Sequence, residues 1–209
     1  MSIPRPGKVI GVGRNYREHA AELGNAVPAQ PLLFLKPATS VIADGEAIIL
    51  PPDSKRVDFE AEIGVVIGKA LRRATAQQVQ GGIAGITCVN DVTARDLQRS
   101  DEQWTRAKGF DTFCPIGPRV VAIDADRYAE LDVLCRVNGA VRQHGHARDM
   151  VFSIAALVAF ISQVMTLEPG DLIATGTPAG VGPLHRGDVV EVEIPGVGVL
   201  RNPVIREVL

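Results

Sequence analysis

The chain has 209 residues, of which 46% are apolar and 22% charged, and a formal net charge of −2. That length favours one domain over residues 1–209, and a near-neutral chain without a basic stripe is not expected to bind nucleic acid. The longest apolar run, Ile154 to Val164, is too short and too polar for a bilayer, and Ser2-Ile3-Pro4-Arg5-Pro6-Gly7 lacks the apolar segment of a secretory leader, so a cytoplasmic protein with no membrane partner is expected.

Val9 to Val12 reads as a strand, followed by a turn at Gly13-Arg14-Asn15 and a helix from about Tyr16 to Leu23 that Gly24 stops. Five prolines between Ala26 and Pro52 exclude long helices there, leaving strands at Leu32 to Lys36 and Ala47 to Leu50. Phe59 to Ile67 alternates and then turns continuously apolar, as a strand with one face at a site does. A helix from about Thr75 to Gly81 leads to a buried strand, Ile83 to Asn90, that ends at Asp91. Thr93 to Gln103 is polar and helix-compatible.

Asn138-Gly139 is the strongest hairpin signal and joins strands at Leu131 to Asn138 and Ala140 to Gln143. Ser153 caps a helix reaching Met165, and short strands follow at Leu172 to Thr175, Val189 to Ile194 and Val199 to Val204. The predicted fold class is a β-rich α+β domain. Cys88, Cys114 and Cys135, odd in number and without a Cys-x-x-Cys pair, read as core residues.

Two glycine clusters, Gly11-Val12-Gly13 and Gly81-Gly82-x-x-Gly85, lack the strand-to-helix setting of a dinucleotide fingerprint and read as turn-making glycines. Asp58, Glu60 and Glu62 recur at every second residue, which places them on one strand face with Glu60 and Glu62 roughly 6.6 Å apart along the chain. With Asp91 they could converge on a divalent cation, Mg²⁺ or Mn²⁺ with Ca²⁺ possible; the same alternation also suits the solvated face of an edge strand. His19 and Glu22, three apart on a helix, suit a carboxylate-oriented general base, although such pairs are more often a solvated face. His144-Gly145-His146 could pair as metal ligands on a strand but reads as a solvated loop past the hairpin, and His185 reads as surface.

Taken in order, these segments resemble the fumarylacetoacetate hydrolase family from about Val9 to Pro203. The resemblance is carried by Gly13-Arg14-Asn15-Tyr16-x-x-His19-x-x-Glu22, Phe34-Leu35-Lys36-Pro37, Glu60-x-Glu62, Asn90-Asp91-x-Thr93-Ala94-Arg95-Asp96-x-Gln98, Trp104-x-x-x-Lys108 and Thr175-Gly176-Thr177-Pro178-x-Gly180. It implies a mixed β-sandwich or barrel-like core, a homodimer, and Mg²⁺ or Mn²⁺ held by Glu60, Glu62 and Asp91. Arg14, Arg95, Gln98, Thr177 and Lys108 would then contact a small 2-oxo acid or its developing charge, with His19 and Glu22 activating water. The chain looks most like the short acylpyruvase and oxaloacetate decarboxylase branch. The implied reaction is hydrolysis of a carbon-carbon bond of a 2,4-dioxo acid to pyruvate and a carboxylic acid. Oxaloacetate decarboxylation, isomerisation or dehydration of a related oxo acid, and a non-catalytic metabolite-binding module are the alternatives.

Overall fold

The computed structural model describes residues 5–207; Met1 to Pro4 and Val208 to Leu209, and with them part of the stretch read for a leader, lie outside the described residues. The first half of the chain forms β1 (Val9–Gly13), α1 (Arg17–Glu22), β2 (Leu32–Lys36), β3 (Val41–Ile42), β4 (Ile48–Leu50), β5 (Val57–Phe59), β6 (Ala61–Ile67), α2 (Ala76–Gly82) and β7 (Ile83–Asn90). After these come β8 (Thr93–Ala94), α3 (Arg95–Ser100), α4 (Thr105–Lys108), β9 (Cys114–Val121), β10 (Asp132–Val137) and β11 (Ala140–His146). The chain closes with α5 (Ile154–Val164), β12 (Leu172–Ala174), β13 (Gly182–Pro183), β14 (Val189–Ile194) and β15 (Gly198–Arg206).

Local chemistry accounts for the helix ends. Gly24, at φ +69°, closes α1 by donating to the Ala21 carbonyl while Asn25 donates to that of Ala20, the paired bonds of a Schellman stop. Thr75 and Gln78 form a reciprocal capping box on α2, and Ser153 Oγ accepts from the Ala156 N–H at the start of α5. Asn138 and Gly139 both take positive φ, as the tight hairpin between β10 and β11 requires.

A seven-stranded mixed sheet runs β2-β1-β12-β6-β7-β9-β3, and a five-stranded sheet runs β11-β10-β14-β15-β4. Ile63, Val65 and Ile86 of the first share one core with Val133, Cys135, Val192 and Leu200 of the second, so the two pack face to face. Burying each large aliphatic side chain contributes roughly 1.5–3 kcal/mol. A second cluster, including Val66, Val89, Ile116 and Leu172, covers the other face of the larger sheet, which is why β6 is apolar without alternation. Among the described residues no helix is long and apolar enough to cross a membrane. All three cysteines are buried and unpaired, and burial pushes each thiol up to about 12.

Several expectations need correction. The strand read over Phe59 to Ile67 is broken at Glu60, because β5 pairs with β8 and β13 whereas β6 pairs with β7 and β12. The helix read from Thr93 to Gln103 is a short strand followed by α3, with α4 beyond. β9 was not anticipated, since Pro115 and Pro118 break the strand pattern in its sequence. β11 continues to His146, so His144 and His146 lie on a strand and not on a loop. Gly11 and Gly13 sit inside β1 and make room for aromatic rings: an added Cβ would come within 2.1 Å of Phe34 and 2.8 Å of Trp104.

Candidate active site

The break at Glu60 builds the site. Its N–H is taken by the Asn90 side-chain oxygen at 2.9 Å and its carbonyl by the Asp91 N–H at 2.8 Å, so the end of β7 is stitched to the gap between β5 and β6. That stitching brings the Glu60, Glu62 and Asp91 carboxylates together, with one oxygen of each within 4.8 Å of the others, and all three are buried.

Cations balance part of this charge. Lys108, at the end of α4, donates to Glu60 Oε2 at 2.7 Å and to Asp91 Oδ2 at 2.5 Å. Lys36, at the end of β2, donates to Asp91 Oδ1 at 2.6 Å. Arg95 binds Glu60 and, at 2.9 Å, Asp58, and reaches the Gln98 side-chain oxygen at 2.8 Å. Asp58, the third acid of the alternating set, therefore positions Arg95 and does not line the cavity. Burial opposes ionisation of Glu60, but the charges of Arg95, Lys108 and His19 outweigh it and hold that carboxyl well below the usual range. Burial also opposes the Lys108 charge, and Asp91 and Glu60 overcome it, raising the ammonium's pKa.

Glu62 differs. Its carboxylate accepts the Gly176 N–H at 2.8 Å and, among the described residues, makes no ion pair. Burial first, then the charges of Asp91 and Glu60, push its pKa far above the ordinary value. An uncompensated buried carboxylate beside two others, with oxygen-only donors, fits a hard divalent cation.

The loop after β12 and helix α1 close the site. Gln143 of β11 accepts the Ala61 N–H at 3.0 Å and donates to Thr177 Oγ1 at 2.8 Å, while Thr177 donates to the Ala61 carbonyl at 2.9 Å. On the other side α1 carries His19, whose Nδ1 lies 3.2 Å from Glu22 Oε2 and whose Nε2 lies 3.8 Å from Glu60 Oε1. Glu22 in turn accepts the Gly180 N–H at 3.1 Å, tying this helix to the loop after β12.

The cavity, open to solvent on one side, has a volume of about 390 Å³. It is lined by the ten residues to which the family resemblance gives a metal, substrate or proton-transfer role: Arg14, His19, Glu22, Glu60, Glu62, Asp91, Arg95, Gln98, Lys108 and Thr177. Sequence reasoning assigned no role to Lys36, Arg99 or Gln143. A lysine ending the apolar run Leu32-Leu33-Phe34-Leu35 was the available signal for the first; nothing local marks the other two. The mouth is cationic: Arg14, stacked 6.0 Å over Trp104, and the exposed Arg99 line it without an acidic partner among the described residues.

Residues 8–205 match the family model described as fumarylacetoacetate (FAA) hydrolase C-terminal. The chain is 52% identical to an uncharacterized protein of Methanocaldococcus jannaschii over 95% of this chain and 83% of that one. It is 44% identical to the human mitochondrial oxaloacetate tautomerase, over 97% of this chain and 68% of the relative. A crystal structure of a 2-hydroxyhepta-2,4-diene-1,7-dioate isomerase from Mycobacterium marinum superimposes with a TM-score of 0.89 at 48% identity, covering 97% of this chain and 76% of that one.

Proposed function

The chain belongs to the fumarylacetoacetate hydrolase family, and from that premise we propose that it is a divalent-metal-dependent enzyme that interconverts enol and keto forms of small 2-oxo dicarboxylic acids. The carrying observation is the placement of His19: Glu22 engages its Nδ1, which leaves Nε2 facing the Glu60 end of the cavity as the atom that accepts and returns a proton. The names of the tautomerase and isomerase relatives agree with a proton transfer of this kind.

Glu60, Glu62 and Asp91 would hold Mg²⁺ or Mn²⁺, with Ca²⁺ a further candidate. The ion would supply Lewis-acid polarisation of a 2-oxo acid. Lys108 faces the same point and neutralises negative charge developing on the substrate oxygen, a stabilisation that is strongest in a site closed from water. Arg95, fixed by Asp58, and Gln98 orient one substrate carboxylate, and Thr177 closes the wall opposite α1. Arg14 and Arg99 at the mouth suit the second carboxylate of a diacid. The family resemblance also supports a homodimer, which sedimentation velocity checks.

Hydrolysis of the C3–C4 bond of a 2,4-dioxo acid is the second reading. The observation favouring it is that Glu22 is 32% exposed, so water reaches the His19-Glu22 pair. Both readings are tested in one preparation by following enol loss from oxaloacetate and pyruvate release from an acylpyruvate, with and without Mg²⁺. Metal-dependent enol conversion faster than pyruvate release is the expected result. The reverse order moves the assignment to hydrolysis, and inertness in both assays with metal present reduces the protein to a binding module.

A further inference from the structure

The outer face of the five-stranded sheet carries a second group of ligand-type side chains that the cavity chemistry does not use. His144 and His146 are two residues apart on β11 and project to the same face. Asp132 of β10 stands directly opposite His146 in the strand register, and its Oδ1 contacts His146 Nδ1. The two imidazole rings lie 4.9 Å apart at a 57° tilt, and among the described residues the His144 ring makes no hydrogen bond. One ligand atom from each of Asp132, His144 and His146 lies within 4.8 Å of the other two. Their environment is open: Asp132 and His146 are about one-third exposed and His144 more so.

We propose that Asp132, His144 and His146 form a binding site for a borderline transition-metal cation such as Zn²⁺, Cu²⁺ or Ni²⁺, separate from the carboxylate cluster in the cavity. Ligand chemistry separates the two sites. Two imidazoles and a carboxylate match the donor set of borderline divalent metals, whereas the oxygen-only trio inside matches hard ones. Three protein ligands on two paired strands leave the fourth tetrahedral position to water. At metal-ligand distances of about 2.0–2.2 Å, bound donors stand roughly 3.4 Å apart, so small rotations of three partly exposed side chains close the site without moving either strand. The competing ligands are elsewhere: all three cysteines are buried, His19 lies in the cavity and His185 is remote in sequence on an exposed turn.

Binding would also tie the edge strand β11 to β10. On the opposite face of β11, Gln143 clamps Ala61 and Thr177, so the same strand presents a metal site outward and supports the cavity inward.

The test uses the full chain saturated with Mg²⁺ and titrated with Cu²⁺ or Zn²⁺. The electron paramagnetic resonance spectrum of one bound Cu²⁺ should show coupling to two imidazole nitrogens. His144→Ala/His146→Ala should lose that signal, and His185→Ala should keep it. Zn²⁺ at 100 times its Kd should raise the wild-type Tm by roughly 5–10 °C and leave the double variant unmoved. Asp132→Asn, which replaces an anionic ligand with a neutral one, should weaken binding. A wild-type spectrum without nitrogen coupling, an unchanged spectrum in the double variant, or an equal zinc response in both proteins would overturn the site.

Discussion

Glu60-Ala61-Glu62 and His144-Gly145-His146 have the same spacing, each placing two ligand-type side chains two residues apart in the sequence. The first pair is buried and surrounded by Lys108, Arg95 and Asp91; the second lies on the outside of a sheet with one carboxylate beside it. Period-two spacing therefore specifies a shared face, and the packing of that face determines its chemistry. Inside, an unmatched charge is costly, so Glu60 and Asp91 are held by cations while Glu62, without one, is driven toward its neutral form, and pKa values separate widely. Outside, water screens each group and leaves the side chains free to rearrange.

The largest effect that would sharpen this contrast is catalytic. His19→Ala leaves the carboxylates, Lys108 and Arg95 in place and removes the proposed general base, a change worth ~10²–10⁴ in rate. Enol conversion and hydrolysis should both fall by that factor, with decarboxylation of oxaloacetate, which needs no base, falling much less. Equal proportional losses in all three would assign α1 to closing the cavity and not to proton transfer.

Lys108→Met comes next, with an expected rate loss of ~10²–10³ for one charge-stabilising donor. In metal-free protein the same change takes one of two cationic partners from each of Glu60 and Asp91, leaving Arg95 on the first and Lys36 on the second, so it should destabilise by less than the ~3–5 kcal/mol of a fully unpaired buried charge. Denaturant melts with and without Mg²⁺ check this, because added metal should restore more stability to the variant than to the wild type. An equal metal response in the two proteins would place Lys108 away from the cation.

Glu62 predicts a pH effect of intermediate size. Its pKa is raised in the fold, so its neutral form is favoured below that value, and the stability of that arrangement is lost as pH rises through it. A cation needs the carboxylate, so its binding displaces a proton, and affinity should rise by about tenfold per pH unit while Glu62 is still protonated. Titration calorimetry in two buffers of different ionisation heat counts the proton; affinity that stays flat as pH rises above the ordinary carboxylate range would remove Glu62 from the ligand set.

The smallest effect belongs to the outer face. His146→Gln deletes a contact between two side chains that are each about one-third exposed, and should cost about 0–1 kcal/mol in metal-free protein. A loss as large as that for Lys108→Met would show that the outer face is not the screened environment its exposure indicates.

The sequence by itself determined the β-rich α+β class, the hairpin at Asn138-Gly139, the stop at Gly24, the cap at Ser153 and, through the order of its motifs, a family and ten residues that prove to line one cavity. Such features are local: each depends on the conformational preference or spacing of a few neighbouring residues. Tertiary structure alone decided that the strand breaks at Glu60, that Asp58 turns away to hold Arg95, that Lys36 reaches Asp91, and that Gln143 clamps a loop more than thirty residues further on. It also set β9 against β7 despite two prolines, and placed His144 and His146 on a strand. Those outcomes depend on which strands pair and which charges share a desolvated space, and the interaction that settles each one comes from residues distant in the chain.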